Sequence, residues 1–258
     1  MQTSDIGIVP AAGMASRLPG LTGAKELLPV GHVNGANGCR PKAVSEYLFD
    51  ALLTAGVRRV CIVVSPGKHD IVRFYGAGDG RGVRIAYVCQ EVPTGMADAI
   101  DAAYPWIGDA TVLMGMPDTI FRPVDALARL RTFFEREHAE LALGIFPTDE
   151  PHRLGPVRFD ASGTVVQVLD KPDTCHIRNT WGIACWGVSF TEFLHNELPS
   201  ISRSYAEPTL GLIFQMAIDR GLRVRALPFD DGLYIDVGTE EGLCAARRAV
   251  DGWSTSSR

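Results

Sequence analysis

The sequence predicts an α/β fold in which a mostly parallel central sheet is covered by helices on both faces. Two observations support this prediction. Short apolar runs alternate with amphipathic helical patterns across residues 6–146, an alternation typical of β-α-β units. The runs are rich in β-branched residues and apolar throughout, as strands buried on both faces of a sheet are. With 258 residues, of which 46% are hydrophobic, the chain can bury such a core.

The strands and helices of this first part follow in order along the chain. Strands are predicted at Ile6–Ala11, Val60–Ser65, Arg84–Gln90, Thr111–Met116 and Leu141–Phe146. Helices are predicted at Pro41–Ala55, from Met96 onward, and at Asp125–His138. In the first of these helices the apolar residues recur on one face, and Gly56 follows as a stop signal.

The rhythm changes after Pro147, where shorter β patterns predict a smaller, β-rich half. Val157–Asp160 and Thr164–Leu169 flank a turn that contains Gly163, and we expect them to form a hairpin. The elements that follow are a strand at Gly182–Phe190, a helix at Thr209–Arg220, a strand at Leu222–Pro228 and a helix capped by Thr239. Since the sequence has no linker and no repeat, we expect a single domain, 1–258, with halves at about 1–147 and 148–250.

Composition and charge exclude several classes of protein. The net charge of −5 and the pI near 5.7 give no general attraction to nucleic acid or to an anionic membrane. No apolar run approaches the roughly 20 residues that cross a bilayer, and the N-terminus has no signal-peptide pattern. The six cysteines are scattered, without zinc-site spacing. We therefore expect a soluble, cytoplasmic protein without nucleic-acid or membrane partners; composition leaves open whether it forms a homo-oligomer.

A loop of small residues follows the first predicted strand. Ala11, Ala12 and Gly13 stand where that strand ends, and small residues there let backbone N–H groups approach a nucleotide closely. Arg17 and Lys25 follow, and two cations beside such a backbone suit a triphosphate whose leaving pyrophosphate must be neutralised. An ordinary tight turn with a solvated Arg and Lys explains the same residues. The loop has neither the G-x-G-x-x-G nor the G-x-x-x-x-G-K-[ST] pattern.

Residues 10–30, PAAGMASRLPGLTGAKELLPV, resemble the signature of sugar-1-phosphate nucleotidylyltransferases, written G-x-G-T-R-L followed by P-K-x-L-L-P. The resemblance extends over about residues 6–245. It implies a Rossmann-like nucleotidyltransferase fold, similar to GT-A glycosyltransferases. It also implies transfer of a nucleotidyl group from a nucleoside triphosphate to a sugar 1-phosphate, with release of pyrophosphate. In this family the loop at 11–13 binds nucleotide, and the residues that match Arg17 and Lys25 are catalytic groups that contact pyrophosphate.

A second matching segment combines a polar strand end with a turn. Gln90 ends a predicted strand, and Gly95 lies in a turn that starts a helix. A glutamine amide offers both a donor and an acceptor, so it can recognise a base edge; a plain strand end and turn is the alternative. The segment resembles the glucose-1-phosphate thymidylyltransferase branch, which implies that Gln90 and Gly95 recognise a pyrimidine. The implied nucleotide is dTTP or UTP.

Two aspartates far apart in the sequence are candidate metal ligands. Asp118 comes just after the strand Thr111–Met116, at the carboxyl edge of the predicted sheet, where ligands collect. Asp236 stands in LYIDVGT, which resembles the W-x-D-x-G-T element of the family. Taken singly, each is explained as a capping or turn residue. Because both lie in matching motifs in the right order, the resemblance implies that they bind Mg²⁺, which prefers oxygen ligands.

The second half carries the implied sugar-phosphate site. The Asp-Lys-Pro sequence at Asp170 and Lys171 resembles the family's E-K-P, and Gly155 matches a glycine that lines the same site. Lys171 is one of only four lysines, and a compact ammonium suits a phosphate oxygen. The resemblance implies that Lys171 is catalytic and contacts the sugar phosphate together with Gly155 and Asp170. It makes the first half nucleotide-binding and the second half sugar-phosphate-binding.

Two other functions fit parts of the sequence. A cytidylyltransferase acting on a non-sugar or cyclitol phosphate shares the N-terminal loop, but the Asp-Lys-Pro and Tyr-Ile-Asp-Val-Gly-Thr elements favour a sugar. A non-catalytic regulatory subunit that binds nucleotide sugars has no need of the cations and carboxylates retained here. Outside these motifs, Trp106, Trp181 and Trp253 are interpreted as packing residues, and the six histidines share no metal-site spacing.

Overall fold

The computed structural model describes residues 5–13, 23–35, 38–92, 94–204 and 207–255. Within these ranges the strands are β1 Ile6–Ala11, β2 Pro29–Gly35, β3 Gly38–Ala43, β4 Arg59–Val64, β5 Arg84–Cys89, β6 Val112–Gly115, β7 Thr119–Arg122, β8 Leu141–Pro147, β9 Val157–Phe159, β10 Val165–Val168, β11 Asn179–Trp186, β12 Val224–Pro228 and β13 Leu233–Asp236. The helices are α1 Val44–Thr54, α2 His69–Tyr75, α3 Met96–Asp101, α4 Tyr104–Ile107, α5 Ala126–Arg136, α6 Val188–Ser204, α7 Leu210–Asp219 and α8 Glu240–Thr255. No helix in these ranges is both long enough and apolar enough to cross a membrane.

The central sheet is mostly parallel. Its strand order is β12-β8-β11-β6-β1-β4-β5. β11 pairs antiparallel with both of its neighbours, β6 and β8, and the remaining pairings in the sheet are parallel. β11 therefore joins two groups of parallel strands that run in the same direction. The predicted α/β fold class is confirmed.

Alternating side chains along the strands divide the core into two apolar layers. On β1, Ile8 is buried in one layer and Val9 in the other, and Cys61 and Ile62 of β4 divide in the same way. Helices α3, α6 and α7 contribute to the first layer, and α1, α2 and α5 contribute to the second. Because both faces are covered, the central strands are apolar on both sides and give continuous rather than alternating hydrophobic runs.

Two-stranded pairings attach the smaller elements to this frame. β9 and β10 form the predicted hairpin, and β2 and β3 form another. β7 pairs antiparallel with β13, with Asp236 opposite Thr119. Helix α8 buries Ala246 and Val250 with Val30 in a third, smaller apolar cluster. The β7–β13 pairing matters most for function because it joins two segments that are far apart in the sequence.

Several element boundaries differ from the prediction. The first residues of the helix predicted at Pro41–Ala55 belong to β3, because this stretch pairs with β2. The strand predicted at Gly182–Phe190 is β11, which begins and ends earlier, and the last predicted residues open α6. The register of β11 against β8 shifts between Trp181 and Ile183, and this bulge hides the period of the strand. β7, β13 and α4 were not predicted, because four residues are too few for a periodic pattern.

Candidate active site

A cavity of about 350 Å³ lies beside the carboxyl end of β6. Its wall includes seven of the residues predicted from the sequence: Lys25, Gly95, Asp118, Gly155, Asp170, Lys171 and Asp236. They come from both predicted halves of the chain. The fold therefore gathers them at one edge of the sheet, where loops following parallel strands converge.

The two predicted metal-binding aspartates lie on neighbouring, paired segments. Asp236 is opposite Thr119 across the β7–β13 pairing, and the Val237 amide donates to the Asp118 carbonyl oxygen at 2.9 Å. Asp118 is 7% exposed, and Asp236 Oδ1 accepts a hydrogen bond from the Gly238 amide at 2.7 Å. Both aspartates line the same cavity. Although they are far apart in the sequence, the pairing of β7 with β13 brings them together.

Lys25 forms an ion pair with one of these carboxylates. Its Nζ lies 2.5 Å from Asp118 Oδ2, and both side chains are largely buried. Burial lowers the pKa of Lys25, but attraction and hydrogen bonding by Asp118 outweigh it, helped by the charges of Glu26 and Asp236. The net result is a pKa above the ordinary 10.5, so the ammonium stays charged.

The pKa of Tyr234 is affected by both carboxylates. Burial raises the pKa of its phenol, and the charges of Asp236 and Asp118 raise it further. Tyr234 lines the cavity, so a neutral hydroxyl stands among the charged groups. Because both carboxylates act on one hydroxyl, this part of the wall concentrates negative charge that a cation can balance.

Lys25 is held in place by contacts of the residues on both sides of it in the sequence. The Ala24 amide donates to Asp70 Oδ2 at 2.6 Å, and Lys68 Nζ lies 2.6 Å from Glu26 Oε1. Glu26 is only 1% exposed. Burial raises the pKa of Glu26, and the attraction of Lys68 opposes the rise. The segment is thus anchored to α2 and the turn before it.

Lys68→Met tests this anchor through stability. Because the pKa of Glu26 is raised in the folded state, its contribution to stability is present below pH 4.5 and is lost as the pH rises through the folded pKa. Removing the Lys68 ammonium raises that pKa further. We expect the free energy of unfolding to fall by about 3 kcal/mol at about pH 8 and by much less near pH 4.5, as measured by urea unfolding.

Lys42→Met is the matched control for this experiment. Lys42 Nζ lies 2.5 Å from Asp50 Oδ2, but the Asp50 side chain is 48% exposed. An ion pair in contact with solvent contributes at most about 1 kcal/mol, so we expect a small loss at both pH values. An equal loss at both pH values for Lys68→Met would contradict the assigned role of the buried pair.

Lys171 and Gly155 are held side by side by the backbone. The Leu169 amide donates to Pro156 O at 2.9 Å, and the Lys171 amide donates to Leu154 O at 2.9 Å. Lys171 has a φ of 42°, in the left-handed region that side chains other than glycine rarely adopt. This conformation costs about 1–2 kcal/mol. Backbone strain of this kind concentrates at functional sites.

Gln90 and Gly95 are in direct contact. Gln90 is 7% exposed, and its Nε2 donates to the Gly95 carbonyl oxygen at 3.2 Å. Gly95 has a φ of 120°, and a Cβ there would lie 3.1 Å from both Glu207 Cγ and Pro208 O. Glycine is therefore required by conformation and by packing. Gly95 lines the cavity and Gln90 stands behind it; recognition of a base by this pair stays a prediction.

The small-residue loop after β1 lies only partly within the described residues. Ala11 and Ala12 are buried at the end of β1, and Gly13 is exposed. These three residues are not on the cavity wall. The continuation at 14–22, which includes Arg17, lies outside the described residues. Nucleotide binding by this loop and the contact of Arg17 with pyrophosphate stay predictions.

The donor set suits a magnesium ion that takes few protein ligands. In the part of the chain that the structure describes, no group of three or more His, Cys, Asp or Glu side chains is placed to hold a metal. Asp118 and Asp236 supply two carboxylates, and Mg²⁺ is commonly bound by one or two carboxylates together with substrate phosphates and water. The residues therefore fit the cation, although Lys25 now pairs with Asp118.

The cavity wall also contains residues that the sequence analysis did not predict as functional: Thr180, Trp181, Glu207, Thr209 and Tyr234. Tyr234 lies in the same motif as Asp236, and that motif was the available signal. Trp181 was interpreted as a packing residue. It lies on the cavity wall, at the register shift between β11 and β8, and such a shift leaves no mark in the hydrophobic pattern.

Known proteins resemble this chain in sequence and in fold. The family model described as nucleotidyl transferase matches residues 6–251. A low-salt glycan biosynthesis nucleotidyltransferase of Haloferax volcanii is 29% identical over 170 residues, which cover 65% of this chain and 44% of that protein. A glucose-1-phosphate thymidylyltransferase of Mycolicibacterium smegmatis is 29% identical over 250 residues, which cover 93% of this chain and 80% of that protein.

A solved structure shows the same fold over the full chain. UDP-glucose pyrophosphorylase complexed with UDP-glucose matches with a TM-score of 0.79 and 18% sequence identity. The match covers 99% of this chain and 100% of that chain. At this identity the likeness concerns the fold alone.

Proposed function

The chain belongs to the nucleotidyl transferase family of enzymes, and we propose that it transfers a nucleotidyl group from a nucleoside triphosphate to a sugar 1-phosphate. The products are a nucleoside diphosphate sugar and pyrophosphate. A relative that aligns over 93% of this chain is a glucose-1-phosphate thymidylyltransferase, which supports a sugar 1-phosphate as the acceptor. The proposed nucleotides are dTTP and UTP, and the hydrogen bond from Gln90 to Gly95, which lines the cavity, supports a site for their base.

One observation carries this proposal. Lys25, Asp118, Asp236 and Lys171 all line one cavity of about 350 Å³. A reaction between two phosphorylated substrates needs positive charge for the phosphates and carboxylates for a divalent cation, in a site large enough for both reacting groups. The cavity provides these groups together.

The proposed chemistry is a single in-line displacement. An oxygen of the acceptor phosphate attacks the α-phosphorus of the triphosphate. The new oxygen–phosphorus bond forms as the bond to the bridging oxygen breaks, and pyrophosphate leaves with that electron pair. Lys25 and Arg17 stabilise the negative charge that builds on pyrophosphate, and Lys171 positions the acceptor phosphate. Positioning and charge stabilisation suffice, so no covalent intermediate is required.

Mg²⁺ is the proposed cofactor, held by Asp118 and Asp236. When bound, this cation neutralises negative charge on the phosphates and polarises the phosphoryl group. The backbone at Ala11, Ala12 and Gly13 is proposed to bind the nucleotide phosphates. On the acceptor side, Gly155 and Asp170 are proposed to contact the sugar. Asp170 lines the cavity, where its carboxylate can accept hydrogen bonds from sugar hydroxyls.

The test is a matrix of triphosphates against acceptors, with detection of pyrophosphate. We expect release with dTTP or UTP and a hexose 1-phosphate, in the presence of Mg²⁺. Release only with CTP and a non-sugar or cyclitol phosphate would identify a cytidylyltransferase instead. Binding of a nucleotide sugar without any release would identify a non-catalytic binding protein.

Lys171→Met tests the acceptor side of the site. Removing the ammonium takes away a charge-assisted hydrogen bond to the acceptor phosphate, and we expect the KM for the sugar 1-phosphate to rise about 30-fold. The KM for the triphosphate should change by less than about twofold. Steady-state kinetics with each substrate varied in turn measures both values. An unchanged KM for the acceptor would reject the role of Lys171.

A further inference from the structure

We propose that Trp181 is a specificity-determining residue of the acceptor site. Its indole fills the space beside Gly155, and its Nε1–H donates a hydrogen bond to an oxygen of a hexopyranose 1-phosphate. The inference rests on the proposed function, because it names a residue that the same site uses to select its acceptor. It adds a contact that the sequence motifs do not contain.

The first observation is the close approach of the indole to Gly155. A Cβ on Gly155 would lie 2.2 Å from Trp181 Nε1 and 2.6 Å from Trp181 Cδ1. Contacts this short are impossible, so the indole occupies the volume that a side chain at Gly155 would need. The Trp181 amide also donates to the Gly155 carbonyl oxygen at 3.0 Å. Only glycine fits at position 155, because the Trp181 indole occupies the space of a side chain there.

The second observation is that the indole is fixed in place. Phe214, fully buried, meets the Trp181 ring edge-on, with 5.1 Å between the ring centroids and an angle of 78°. The backbone of Trp181 is also fixed, because its amide donates to the Gly155 carbonyl oxygen and its neighbours pair with β8. A ring held by packing and backbone geometry forms a rigid wall, and rigid walls discriminate between ligands at little entropic cost.

The third observation concerns the indole N–H. No residue in the described ranges accepts a hydrogen bond from Trp181 Nε1. Trp186, which is buried in the core, differs, because its Nε1 donates to Thr191 Oγ1 at 3.0 Å. Trp181 is partly buried and lines the cavity together with Lys171, so its N–H is available to a molecule bound there. A sugar 1-phosphate bound in this cavity can therefore accept the hydrogen bond from the indole N–H.

Trp181→Phe separates the hydrogen bond from the packing. Phenylalanine keeps an aromatic ring against Phe214 and removes the N–H. We expect the KM for glucose 1-phosphate to rise about tenfold, while the KM for the triphosphate stays within about twofold. Trp106→Phe is the control, because Trp106 is 61% exposed and is not on the cavity wall. An unchanged KM for glucose 1-phosphate in Trp181→Phe would overturn the proposal.

A double-variant cycle tests the link between the two positions. Gly155→Ala forces the indole away, so we expect it to raise the KM for glucose 1-phosphate by at least about tenfold in the wild-type background. In the Trp181→Thr background the added methyl meets no ring, so Gly155→Ala should raise the KM by a smaller factor, due only to the contact of position 155 with the sugar. Contacting residues show such non-additivity, whereas independent sites do not. Equal effects in both backgrounds would contradict the proposal.

Tryptophan fluorescence gives a readout that does not depend on turnover. Titration with glucose 1-phosphate or UDP-glucose should change the emission of the wild type and of Trp106→Phe, and the change should be absent in Trp181→Phe. If the wild type releases no pyrophosphate with any acceptor, the proposed function fails, while this titration still decides whether a sugar phosphate meets the indole. If turnover is normal but the emission change persists in Trp181→Phe, this inference alone fails.

Discussion

Replacing Asp118 or Asp236 by asparagine is expected to reduce pyrophosphate release by about 10³-fold. Asparagine has nearly the volume of aspartate, so the packing of Asp118, which is 7% exposed, is retained. At Asp236 the side-chain oxygen that accepts from the Gly238 amide is also retained. The lost property is the negative charge that a divalent cation needs. Turnover is measured at saturating substrates with Mg²⁺ titrated over a wide range.

Asp109→Asn is the matched control for these two variants. Asp109 is exposed in the turn before β6, whereas Asp118 follows the opposite, carboxyl end of the same strand. We expect wild-type turnover from this control, and a free energy of unfolding within about 1 kcal/mol of the wild type for Asp109→Asn and Asp236→Asn. Asp118→Asn also breaks the largely buried ion pair with Lys25, so we expect it to lose about 3 kcal/mol and its turnover is measured without urea. If either Asp118→Asn or Asp236→Asn kept more than about one-tenth of the wild-type rate, the metal assignment would be wrong.

Local sequence was enough to select candidate site residues. Asp118 follows a buried run, and Lys171 is a rare lysine beside a proline, which made both residues candidates. Local sequence alone left ordinary structural roles open, and their proposed functions came from the family resemblance. The meeting of Asp118 with Asp236 in one cavity could not be predicted from spacing, because it depends on the pairing of β7 with β13. Each of these strands has four residues, which is too short for a pattern. The family resemblance supplied what local physics could not.

The fold shows the same division between local and non-local information. The apolar runs that became the central strands were found because a strand covered on both faces must be hydrophobic throughout. The start of α1 was misplaced because β3 is defined by pairing with β2 rather than by its own composition, and four of its six residues are exposed. Trp181 was interpreted as packing, which is correct for its contact with Phe214 but omits the cavity. Contacts across the chain decided each of these cases.

Lys25→Met is expected to have two effects of opposite sign. Turnover should fall by about 10²-fold to 10³-fold, because the ammonium that stabilises the leaving pyrophosphate is gone. Binding of Mn²⁺ to the nucleotide-free protein should tighten by about tenfold, because Lys25 Nζ lies 2.5 Å from Asp118 Oδ2 and competes with a cation for that carboxylate. Initial rates measure the first effect, and electron paramagnetic resonance of free Mn²⁺ measures the second.

The opposite signs distinguish a functional lysine from a structural one. If Lys25 merely stabilised the fold, its replacement would lower both the turnover and the affinity for Mn²⁺. Lys42→Met is the control, because Lys42 Nζ lies at the same 2.5 Å from Asp50 Oδ2, yet neither residue is on the cavity wall; neither measurement should change. If Lys25→Met left Mn²⁺ affinity unaltered, the ion pair would not be competing with the metal. If the affinity rises as expected, the Lys25 ammonium has two partners in turn. It pairs with Asp118 before the nucleotide binds, and it contacts the pyrophosphate once the cation has replaced it at Asp118.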